Sequence, residues 1–457
     1  MTDLATLVAG QRTFFNTGAT RSIEGRRKRL RALGDALRRH EPALLRALHD
    51  DLRKPAGESY STEIGQVVFE INHAQRHLAG WMRRRRVPLS LAQIPGAAAI
   101  HPQPRGVSAI LAPWNYPVQM SLSPLVAALA AGNTAVLKPS EYAPATTAAL
   151  AALIGAAFDP REVVVVEGDA GVAQALLEQP FDFIFFTGAG SIGRKVAEAA
   201  ARNLTPCVLE LGGKSPALIA GDADLDLAAR RVAWGKFINC GQTCIAPDYV
   251  LIERQHHDAF VAALRRHIRA FYGEDARRSP DYGRIVNDRH VARLRSYLAQ
   301  GRILHGGEVD AGDRFIAPTV MAVDDLDQPV MREEIFGPIL PVLPVADMDE
   351  AIAFVNARPH PLALYLFTRD GGVRERVLAQ TQSGGVCVND VLFQISTPHL
   401  PFGGVGPSGY GSYHGKHGFE AFSHLRAVID KGHWPDFWFR YAPAKASYDR
   451  IIRLLLR

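Results

Sequence analysis

A strand, a glycine-rich loop and a helix follow one another directly in this chain, and that order constrains its fold more than any other feature. The run FDFIFF at 181–186 is apolar, rich in aromatic residues and long enough for one strand. A helical pattern occupies 194–202. Between this strand and this helix, three glycines have the spacing Gly-x-Gly-x-x-Gly: Gly188, Gly190 and Gly193. Such glycines let the backbone approach a pyrophosphate at a helix N-terminus, where N–H groups are free. The order therefore predicts a dinucleotide-binding sheet of the Rossmann type.

Strand-like and helical segments alternate over most of the chain. The first 80 residues are predicted to form amphipathic helices, because apolar residues recur there at helical spacing. Apolar runs of strand length then alternate with alanine-rich helices, at 107–111, 134–137, 163–167 and 183–186. A second alternation follows, with strands predicted at 215–220, 249–253, 319–323, 339–345 and 385–389. The pattern predicts an α/β fold with a doubly wound parallel sheet and a second α/β domain.

A carboxylate and a thiol, each beside glycines, are the strongest candidates for chemistry. Glu210 opens the run ELGGKSP, and Cys244 closes the run NCGQTC. A thiol attacks as the thiolate, which needs a base nearby, and a carboxylate in a partly dry site can be that base. Two alternatives stay open here. Cys244 also suits a small core residue, and Glu210 also suits the acidic residue that binds the adenine ribose about 20 residues after a phosphate loop.

A lysine and a glutamate after another predicted strand offer a different site for the ribose. Lys138 and Glu141 belong to the run KPSE, which ends the strand at 134–137 and precedes an alanine-rich helix. If these two residues hold the ribose hydroxyls, Glu210 is free for catalysis. In the structural alternative, Ser140 caps the helix and Glu141 complements the helix dipole.

Composition and charge exclude several other classes of protein. No apolar run reaches the roughly 18 uncharged residues that a membrane span needs, and residues 1–4 predict no secretory signal. A required thiol and only four cysteines indicate the cytoplasm, and Cys240 and Cys244 lack a second pair of ligands, so no metal site is predicted. The net charge of +6 is modest for 457 residues. The basic clusters at 26–29 and 83–86 accompany no nucleic-acid-binding motif, and the first is interpreted as the solvated face of a helix.

Seven motifs in a fixed order resemble those of the NAD(P)-dependent aldehyde dehydrogenases. They are APWNYP at 112–117, KPSE at 138–141, FTG at 186–188 with Gly193, ELGGK at 210–214, GQTC at 241–244, EEIFGP at 333–338 and LPFGGVG at 400–406. The runs QTCIAPDY at 242–249 and GSYHGK at 411–416 most resemble the class 3 branch, which acts on fatty and aromatic aldehydes. The resemblance covers essentially the whole chain.

The resemblance implies a role for each matching residue. Cys244 attacks the aldehyde carbon, Asn115 and the backbone N–H of Cys244 stabilise the oxyanion, and Glu210 activates the water that hydrolyses the resulting thioester. The implied cofactor-binding residues are Trp114, Lys138, Glu141, Gly188, Gly190, Gly193, Glu334 and Phe336. The residues predicted to line an apolar substrate tunnel are Tyr116, Trp234 and Phe402, which lie beside these motifs. NAD is the expected cofactor, with NADP also accepted.

Two residues depart from the family pattern, and others have structural alternatives. Ala189 stands where many relatives have serine, which removes one hydroxyl contact to a phosphate, and Cys240 stands where a small residue without a thiol is common. Asn115 also suits a turn between two prolines, the Glu334 run also suits a helix end, and Phe402 also suits the core.

The resemblance also divides the chain. It implies an NAD(P)-binding domain at 1–86 and 105–211, a catalytic domain at 212–392, oligomerisation segments at 87–104 and 393–431, and a C-terminal tail at 432–457. The expected assembly is a homodimer. The tail carries aromatic residues and ends IIRLLLR. It is expected to pack on the body or on the partner subunit, and the alternative is binding to a membrane surface.

The predicted activity is oxidation of a medium-chain aliphatic or aromatic aldehyde to the carboxylic acid. One alternative keeps the fold but releases the acyl group to coenzyme A, and Glu210, a base suited to hydrolysis, argues against it. A thiol esterase without a nucleotide is disfavoured by the phosphate loop and by the pair of Lys138 and Glu141. A binding protein without catalysis is disfavoured because Cys244, Glu210 and Asn115 are all present.

Overall fold

Two largely parallel sheets form the body of the protein in a computed structural model, which describes residues 3–90, 93–437, 440–443 and 446–455. The first sheet contains β3 (Val107–Leu111), β4 (Thr134–Lys138), β5 (Val163–Val165), β6 (Phe183–Thr187), β7 (Cys207–Glu210) and β17 (Gly409–Tyr410). The strand order is β17-β7-β6-β3-β4-β5, with β17 antiparallel to β7 and the others parallel. Every residue of β3, β4 and β6 is buried, as expected of a parallel sheet covered by helices.

Helices connect and cover this sheet. Those between its strands are α5 (Pro117–Ala131), α6 (Pro144–Ala157), α7 (Ala170–Leu177) and α8 (Gly190–Arg202). The N-terminal helices are α1 (Leu4–Asn16), α2 (Ile23–Leu52), α3 (Ala56–Ser59) and α4 (Gly65–Trp81), with a π-helical turn at Tyr60–Ile64. The N-cap of α2 is Ser22, whose side chain accepts a hydrogen bond from a backbone N–H, and the helix buries Leu30, Leu33 and Leu37 at helical spacing.

The first basic cluster is not simply the solvated face of α2, and that interpretation was wrong for two of its residues. Arg26 is buried and donates hydrogen bonds to the carbonyl oxygens of Thr20 (3.2 Å) and Ala130 (3.0 Å). Arg29 is paired with Glu162 at 2.6 Å. The last carbonyls of a helix lack partners within the helix and carry partial negative charge, so a guanidinium is stable at the end of α5. The cluster therefore joins α2 to its neighbours.

The second sheet contains β8 (Pro216–Ile219), β9 (Tyr249–Glu253), β10 (Arg302–His305), β13 (Thr319–Ala322), β14 (Ile339–Val345), β15 (Ala363–Phe367) and β16 (Gly385–Val388). The strand order is β10-β13-β14-β9-β8-β15-β16, with β10 antiparallel to β13 and the others parallel. Strands β10 and β15 were not predicted from the sequence. Every residue of β15 is buried between β8 and β16, and periodicity alone does not distinguish such a short apolar run from a segment of a buried helix.

Six helices and a short β-hairpin accompany the second sheet in the described part of the chain. The helices are α9 (Leu225–Phe237), α10 (His257–Tyr272), α11 (Asp288–Tyr297), α12 (Pro329–Arg332), α13 (Met348–Asn356) and α14 (Gly371–Gln380). The hairpin pairs β11 (Val309–Asp310) with β12 (Phe315–Ile316). Cys244 lies in the connection between α9 and β9, so this sheet carries the predicted nucleophile.

A third, antiparallel sheet joins the two segments predicted to serve oligomerisation. It contains β1 (Arg85–Val87), β2 (Ala97–Pro104) and β18 (Ser423–Asp430). Most of β18 is exposed, including Leu425, Val428 and Ile429. The second segment also supplies α15 (Gly415–Ala421) and β17, which extends the edge of the first sheet, so that segment contributes to two sheets.

The C-terminal tail is described in part and contains α16 (Ala446–Leu455). Trp434 and Leu454 are exposed. The tail residues Trp438, Phe439, Leu456 and Arg457 lie outside the described residues. Within the ranges that the structure describes, no helix is long and apolar enough to cross a bilayer. The packing of the tail stays a prediction.

Candidate active site

The predicted cofactor residues and the predicted base meet at one edge of the first sheet. Strands β3, β4, β6 and β7 are parallel neighbours, so their carboxyl ends lie side by side. Trp114 and Asn115 follow β3, Lys138 ends β4, the glycine loop follows β6 and Glu210 ends β7. Open α/β sheets bind their ligands outside this edge. Residues far apart in sequence therefore share one site because of the strand order.

The glycine loop leaves the N-terminus of α8 available for a phosphate. The helix begins after its N-cap Ala189, which offers no side-chain hydrogen bond to the first turn, so the first backbone N–H groups keep their capacity to bind an anion. A Cβ on Gly188 or Gly193 would lie 2.7 Å or 2.5 Å, respectively, from a neighbouring side chain. A Cβ on Gly190 would meet no atom within 4 Å. Packing requires the outer glycines, and the middle one faces open space.

Lys138 and Glu141 form an ion pair at 2.9 Å, in which the lysine is buried and the glutamate is partly exposed. The alternative that Ser140 caps the following helix was wrong, because the N-cap of α6 is Ala143. The Ser140 hydroxyl instead accepts a hydrogen bond from the backbone N–H two residues later, at 3.2 Å. A role of this pair at the ribose stays a prediction.

Cys244 follows a backbone turn of unusual conformation. Asn239, Cys240 and Gly241 have φ angles of 50°, 52° and 71°. This left-handed region costs a residue with a side chain on the order of 1–3 kcal/mol, and such strain persists where the surroundings enforce it, often at active sites. Glycine is required at 241, because a Cβ there would lie 2.3 Å from the carbonyl oxygen of Gly337. The turn fixes the direction in which the chain enters the Cys244 loop.

The environment of Cys244 raises the pKa of its thiol above the usual value. Burial is the main cause, and the carboxyl groups of Glu334 and Glu210 add to the effect. The thiol therefore keeps its proton at neutral pH until a base takes it. The two carboxyl groups that raise the pKa are also the candidates for that base.

Glu210 is a buried carboxyl group without a hydrogen-bond partner for either oxygen among the described residues. Burial raises its pKa well above the ordinary value. Most buried polar atoms in proteins are hydrogen-bonded, so an unpartnered carboxyl group needs an explanation. Because a raised pKa also makes a carboxylate a stronger base, its position near a thiol suits proton transfer.

Asn115 and Tyr116 contact the two residues that precede Cys244. The Asn115 side-chain amide donates a hydrogen bond to the carbonyl oxygen of Gln242, at 2.9 Å. The Tyr116 and Thr243 hydroxyls are hydrogen-bonded at 2.7 Å. An amide nitrogen carries two N–H groups, so Asn115 keeps one for another acceptor. Asn115 also lies in the bend before α5, so a turn position and a catalytic role are compatible.

Glu334 and Phe336 approach the same region from the second sheet. A Cβ on Gly212 would lie 1.9 Å from the Glu334 carboxylate, so glycine is needed for this close contact. Burial, and then the charge of Asp248, raise the pKa of Glu334 to about 8. The Phe336 ring stands nearly perpendicular to the Trp114 ring, with centroids 5.3 Å apart. Cofactor residues predicted from separate motifs are thus neighbours.

An apolar cavity of about 240 Å³ opens beside Cys244. Tyr116 and Trp234 line it, whereas Phe402 packs against Tyr413 and is not among the lining residues. No Asp, Glu, Lys or Arg among the described residues lines it. Several apolar lining residues were not predicted from the sequence, namely Met120, Ile238, Ile245, Leu392, Phe393 and Ile395. Met120 could have been inferred from the sequence, because it lies four residues after Tyr116 and residues at that spacing are neighbours on a helix surface.

The described part of the chain has no candidate metal site, and its larger hollow lies away from the predicted site residues. No group of three histidine, cysteine, aspartate or glutamate side chains there could hold a metal ion. A larger hollow of about 480 Å³ lies between the end of α10 and the β11–β12 hairpin, and none of the predicted site residues lines it.

Comparison with known proteins agrees with the motifs. The aldehyde dehydrogenase family matches residues 2–428. Aldehyde dehydrogenase family 3 member B1 from Rattus norvegicus is 46% identical over 92% of this chain and 89% of its own length. The dimeric NADP-preferring aldehyde dehydrogenase of Rattus norvegicus is 42% identical over 98% of this chain and 100% of its own.

A solved structure also matches over nearly the full length. Staphylococcus aureus AldH in a substrate-bound state superposes with a TM-score of 0.96 and 41% identity, covering 99% of this chain and 100% of that one. The predicted fold class, an aldehyde dehydrogenase-like α/β fold, is confirmed. The chain belongs to the aldehyde dehydrogenase family, on its class 3 branch, and is an enzyme that oxidises aldehydes to carboxylic acids.

Proposed function

We propose that this enzyme oxidises medium-chain aliphatic or aromatic aldehydes through a thioester on Cys244, with NAD(P) as the oxidant. One observation carries the proposal. Cys244 borders an apolar cavity, and the buried carboxyl group of Glu210, which has no hydrogen-bond partner among the described residues, lies near enough to raise the pKa of the thiol. An apolar cavity suits an uncharged hydrophobic aldehyde, and a thiol beside a base suits covalent catalysis.

The residues at the edge of the first sheet fit an NAD(P) cofactor. The uncapped start of α8 suits a pyrophosphate, the open space at Gly190 lets it approach, and Lys138 with Glu141 offers polar groups to a ribose. Glu334 would hold the second ribose, and Trp114 and Phe336 would pack beside the cofactor. When bound, the nicotinamide supplies the acceptor for the hydride that leaves the aldehyde carbon.

The protein's own groups perform the remaining steps. Cys244 loses its proton to a carboxylate, its sulfur bonds to the aldehyde carbon, and Asn115 donates a hydrogen bond to the oxygen that becomes negative, which is typically worth about 3–4 kcal/mol in the transition state. Loss of the hydride leaves a thioester. Glu210 then takes a proton from water, whose oxygen attacks the thioester carbon. The C–S bond breaks, the acid leaves and the thiol regains a proton.

Absorbance of the reduced nicotinamide, followed with a panel of aldehydes, tests this function. We expect oxidation with NAD(P) and water alone, at a rate that coenzyme A does not change. A requirement for coenzyme A would favour the acylating alternative. Ester hydrolysis without any nucleotide-dependent aldehyde oxidation would favour the thiol esterase.

Chain length should control the rate, because the cavity beside Cys244 is apolar. Each buried methylene contributes about 0.8 kcal/mol, so kcat/KM should rise by up to about fourfold per added methylene until the cavity is filled. A short aldehyde that ends in a carboxylate, such as succinic semialdehyde, should be a poor substrate, because no lysine or arginine among the described residues lines the cavity. Steady-state kinetics on butanal, hexanal, octanal and succinic semialdehyde measures both effects. Preference for the charged aldehyde would contradict the proposal.

Glu141 should set the cofactor preference, with NAD favoured and NADP accepted. Its carboxylate suits the adenine ribose 2′-hydroxyl and repels a 2′-phosphate by on the order of 1 kcal/mol, while Lys138, 2.9 Å away, offers a compensating positive charge. The similarity to a relative named NADP-preferring supports use of both cofactors. Glu141→Gln should shift the NADP-to-NAD ratio of kcat/KM about fivefold towards NADP.

A matched control for this variant is Glu420→Gln, which breaks another partly exposed lysine–glutamate pair, with Lys416 at 3.5 Å. It should leave the cofactor ratio unchanged. If Glu141→Gln also leaves it unchanged, the adenosine half of the cofactor binds elsewhere.

The proposed assembly is a homodimer formed through the third sheet. Its exposed apolar residues Leu425, Val428 and Ile429 offer a surface for a second copy, and a relative is named dimeric. The proposed domains remain 1–86 with 105–211, 212–392, and the segments 87–104 and 393–431 around the third sheet. We place the enzyme in the cytoplasm, because Cys244 must stay reduced to act.

A further inference from the structure

A buried ion pair from the N-terminal helices lies directly behind the Asn115 segment. Lys54 follows α2, and Glu63 lies in the π-helical turn after α3. Both side chains are completely buried, and the Lys54 Nζ donates a hydrogen bond to the Glu63 Oε1 at 2.5 Å. Removing charges from water is costly, and a buried pair repays this only when its other atoms are also well hydrogen-bonded. The remaining contacts of the pair therefore indicate its purpose.

Lys54 makes those contacts with Asn115 and Tyr116, the two residues that are hydrogen-bonded to the segment just before Cys244. Its Nζ donates a second hydrogen bond to the backbone carbonyl oxygen of Asn115, at 3.0 Å, and lies 4.1 Å from the centre of the Tyr116 ring. The Asn239 side chain donates to the same Asn115 oxygen, at 2.8 Å. Two donors thus hold one peptide group. The orientation of that peptide sets the direction of the Asn115 side chain.

Glu63 fixes the other end of the same segment. Its Oε2 accepts hydrogen bonds from the backbone N–H groups of Val118 (2.8 Å) and Gln119 (3.4 Å), in the first turn of α5. The first N–H groups of a helix have no partner within the helix and carry partial positive charge, so a carboxylate stabilises them. The pair therefore holds the bend that contains Asn115 between Lys54 on one side and the anchored start of α5 on the other.

We propose that Lys54 is a positioning residue of the oxyanion site, which it maintains through the backbone of Asn115. The inference rests on the proposed function, in which Asn115 donates to the oxygen of the reacting aldehyde. Lys54 acts through Asn115 and not on the substrate, since its Nζ is bound to Glu63 and to the Asn115 carbonyl. Glu63 supports this role by neutralising Lys54 and anchoring α5.

Lys54→Met tests the proposal, because methionine keeps most of the volume and removes the donor. The single-turnover rate of reduced-nicotinamide formation should fall about 10- to 100-fold, since a displaced oxyanion donor costs rates of this order. The Asn239 side chain still holds the Asn115 carbonyl, so a larger loss is not expected. The aldehyde KM and the cofactor Kd should stay within about twofold of the wild-type values.

Alkylation of Cys244 separates a positioning defect from a general one. Iodoacetamide reacts with the thiol without needing a donor for an oxyanion, so the alkylation rate of Lys54→Met should stay within about twofold of the wild-type rate. Equal loss of alkylation and turnover would overturn the proposal, because it would show that the whole Cys244 loop had moved.

Loss of one charge leaves Glu63 buried without its partner, so Lys54→Met should also lower the melting temperature. The double variant Lys54→Met with Glu63→Gln removes both charges and should recover part of the melting temperature. Its turnover should remain as low as that of the single variant, because the donor to Asn115 is still missing. Turnover that recovers together with the melting temperature would show a purely structural role and overturn the proposal.

A matched control is Arg29→Met, on the N-terminal helix α2. It breaks the largely buried pair between Arg29 and Glu162, and neither residue contacts a predicted site residue in the described part of the chain. It should lower the melting temperature and leave the single-turnover rate within about twofold of the wild type. If Lys54→Met turns over at the wild-type rate while Cys244→Ser is inactive, the positioning role is refuted and the proposed function stands. Full activity of both variants would refute the proposed function itself.

Discussion

Cys244→Ser is expected to bind NAD(P) normally and to lose aldehyde oxidation by about a thousandfold or more. The reason is the ionisation of the nucleophile. Burial and two nearby carboxyl groups already raise the pKa of the Cys244 thiol, and a serine hydroxyl in the same place is far harder to ionise. Stopped-flow absorbance measures turnover, and fluorescence quenching measures cofactor affinity. A variant that keeps more than a tenth of wild-type turnover would show that another group is the nucleophile.

Cys240→Ser is the matched control, since it makes the same chemical change four residues earlier. Burial raises the pKa of the Cys240 thiol as it does that of the Cys244 thiol, so the two differ in access to the cavity and not in ionisation. Its side chain is not among the residues that line the cavity beside Cys244. We expect turnover of this variant within a few-fold of the wild type. The contrast between the two serine variants assigns the chemistry to one thiol.

Glu210→Gln is expected to give one burst of reduced nicotinamide and then to stall as the thioester. The amide cannot take a proton from water, so thioester hydrolysis should slow by about 10²- to 10⁴-fold. Formation of the thioester should continue, because that step consumes no water and so needs no water-activating base. Single-turnover absorbance detects the burst, and mass spectrometry of the intact protein detects the acyl group on Cys244.

The same variant separates the two interpretations of Glu210. If Glu210 were the ribose ligand, cofactor affinity would fall and no burst would appear, which cofactor titration would reveal. Glutamine has nearly the same shape and no charge to bury, so folding should not suffer at a site where the carboxyl group has no hydrogen-bond partner among the described residues. The burst and the stall can then be attributed to chemistry.

The pH dependence gives a second measure of Glu210. Burial raises the pKa of its carboxyl group, so the carboxylate forms at a higher pH than it does in an exposed glutamate. Thioester hydrolysis by the wild-type enzyme should accelerate as the pH is raised, and Glu210→Gln should lose this acceleration.

Local patterns in the sequence were sufficient for much of the fold. Strands predicted at 107–111, 249–253 and 339–345 agree with β3, β9 and β14 to the residue. They are continuous apolar runs bounded by turn-forming residues, and the glycine loop lies between β6 and α8 as the spacing predicted. Such features depend on neighbours in the chain, so the sequence alone reveals them.

Contacts between distant segments were not accessible in this way. β15 was missed because a short apolar run does not by itself distinguish a buried strand from a buried helix segment, and Arg26 looked solvated because its partner Ala130 lies over a hundred residues away. The helix start near Ser140 was misplaced, since Pro144 begins α6 instead. The buried pair of Lys54 and Glu63 gave no signal at all, because charged residues on amphipathic helices usually face water.

The sequence by itself determined the residue types and their order along the chain: a thiol, a carboxylate, an asparagine and a glycine loop at spacings that identify a family. Tertiary structure alone decided how they meet. Parallel strand order brings Asn115, Lys138 and Glu210 to one sheet edge, and the hydrogen bond from the Asn115 side chain to the Gln242 carbonyl oxygen joins the Cys244 loop to that edge. Burial then raises the pKa values of Cys244 and Glu210. Solvent exclusion depends on every element packed around a side chain, so no local stretch of sequence encodes it.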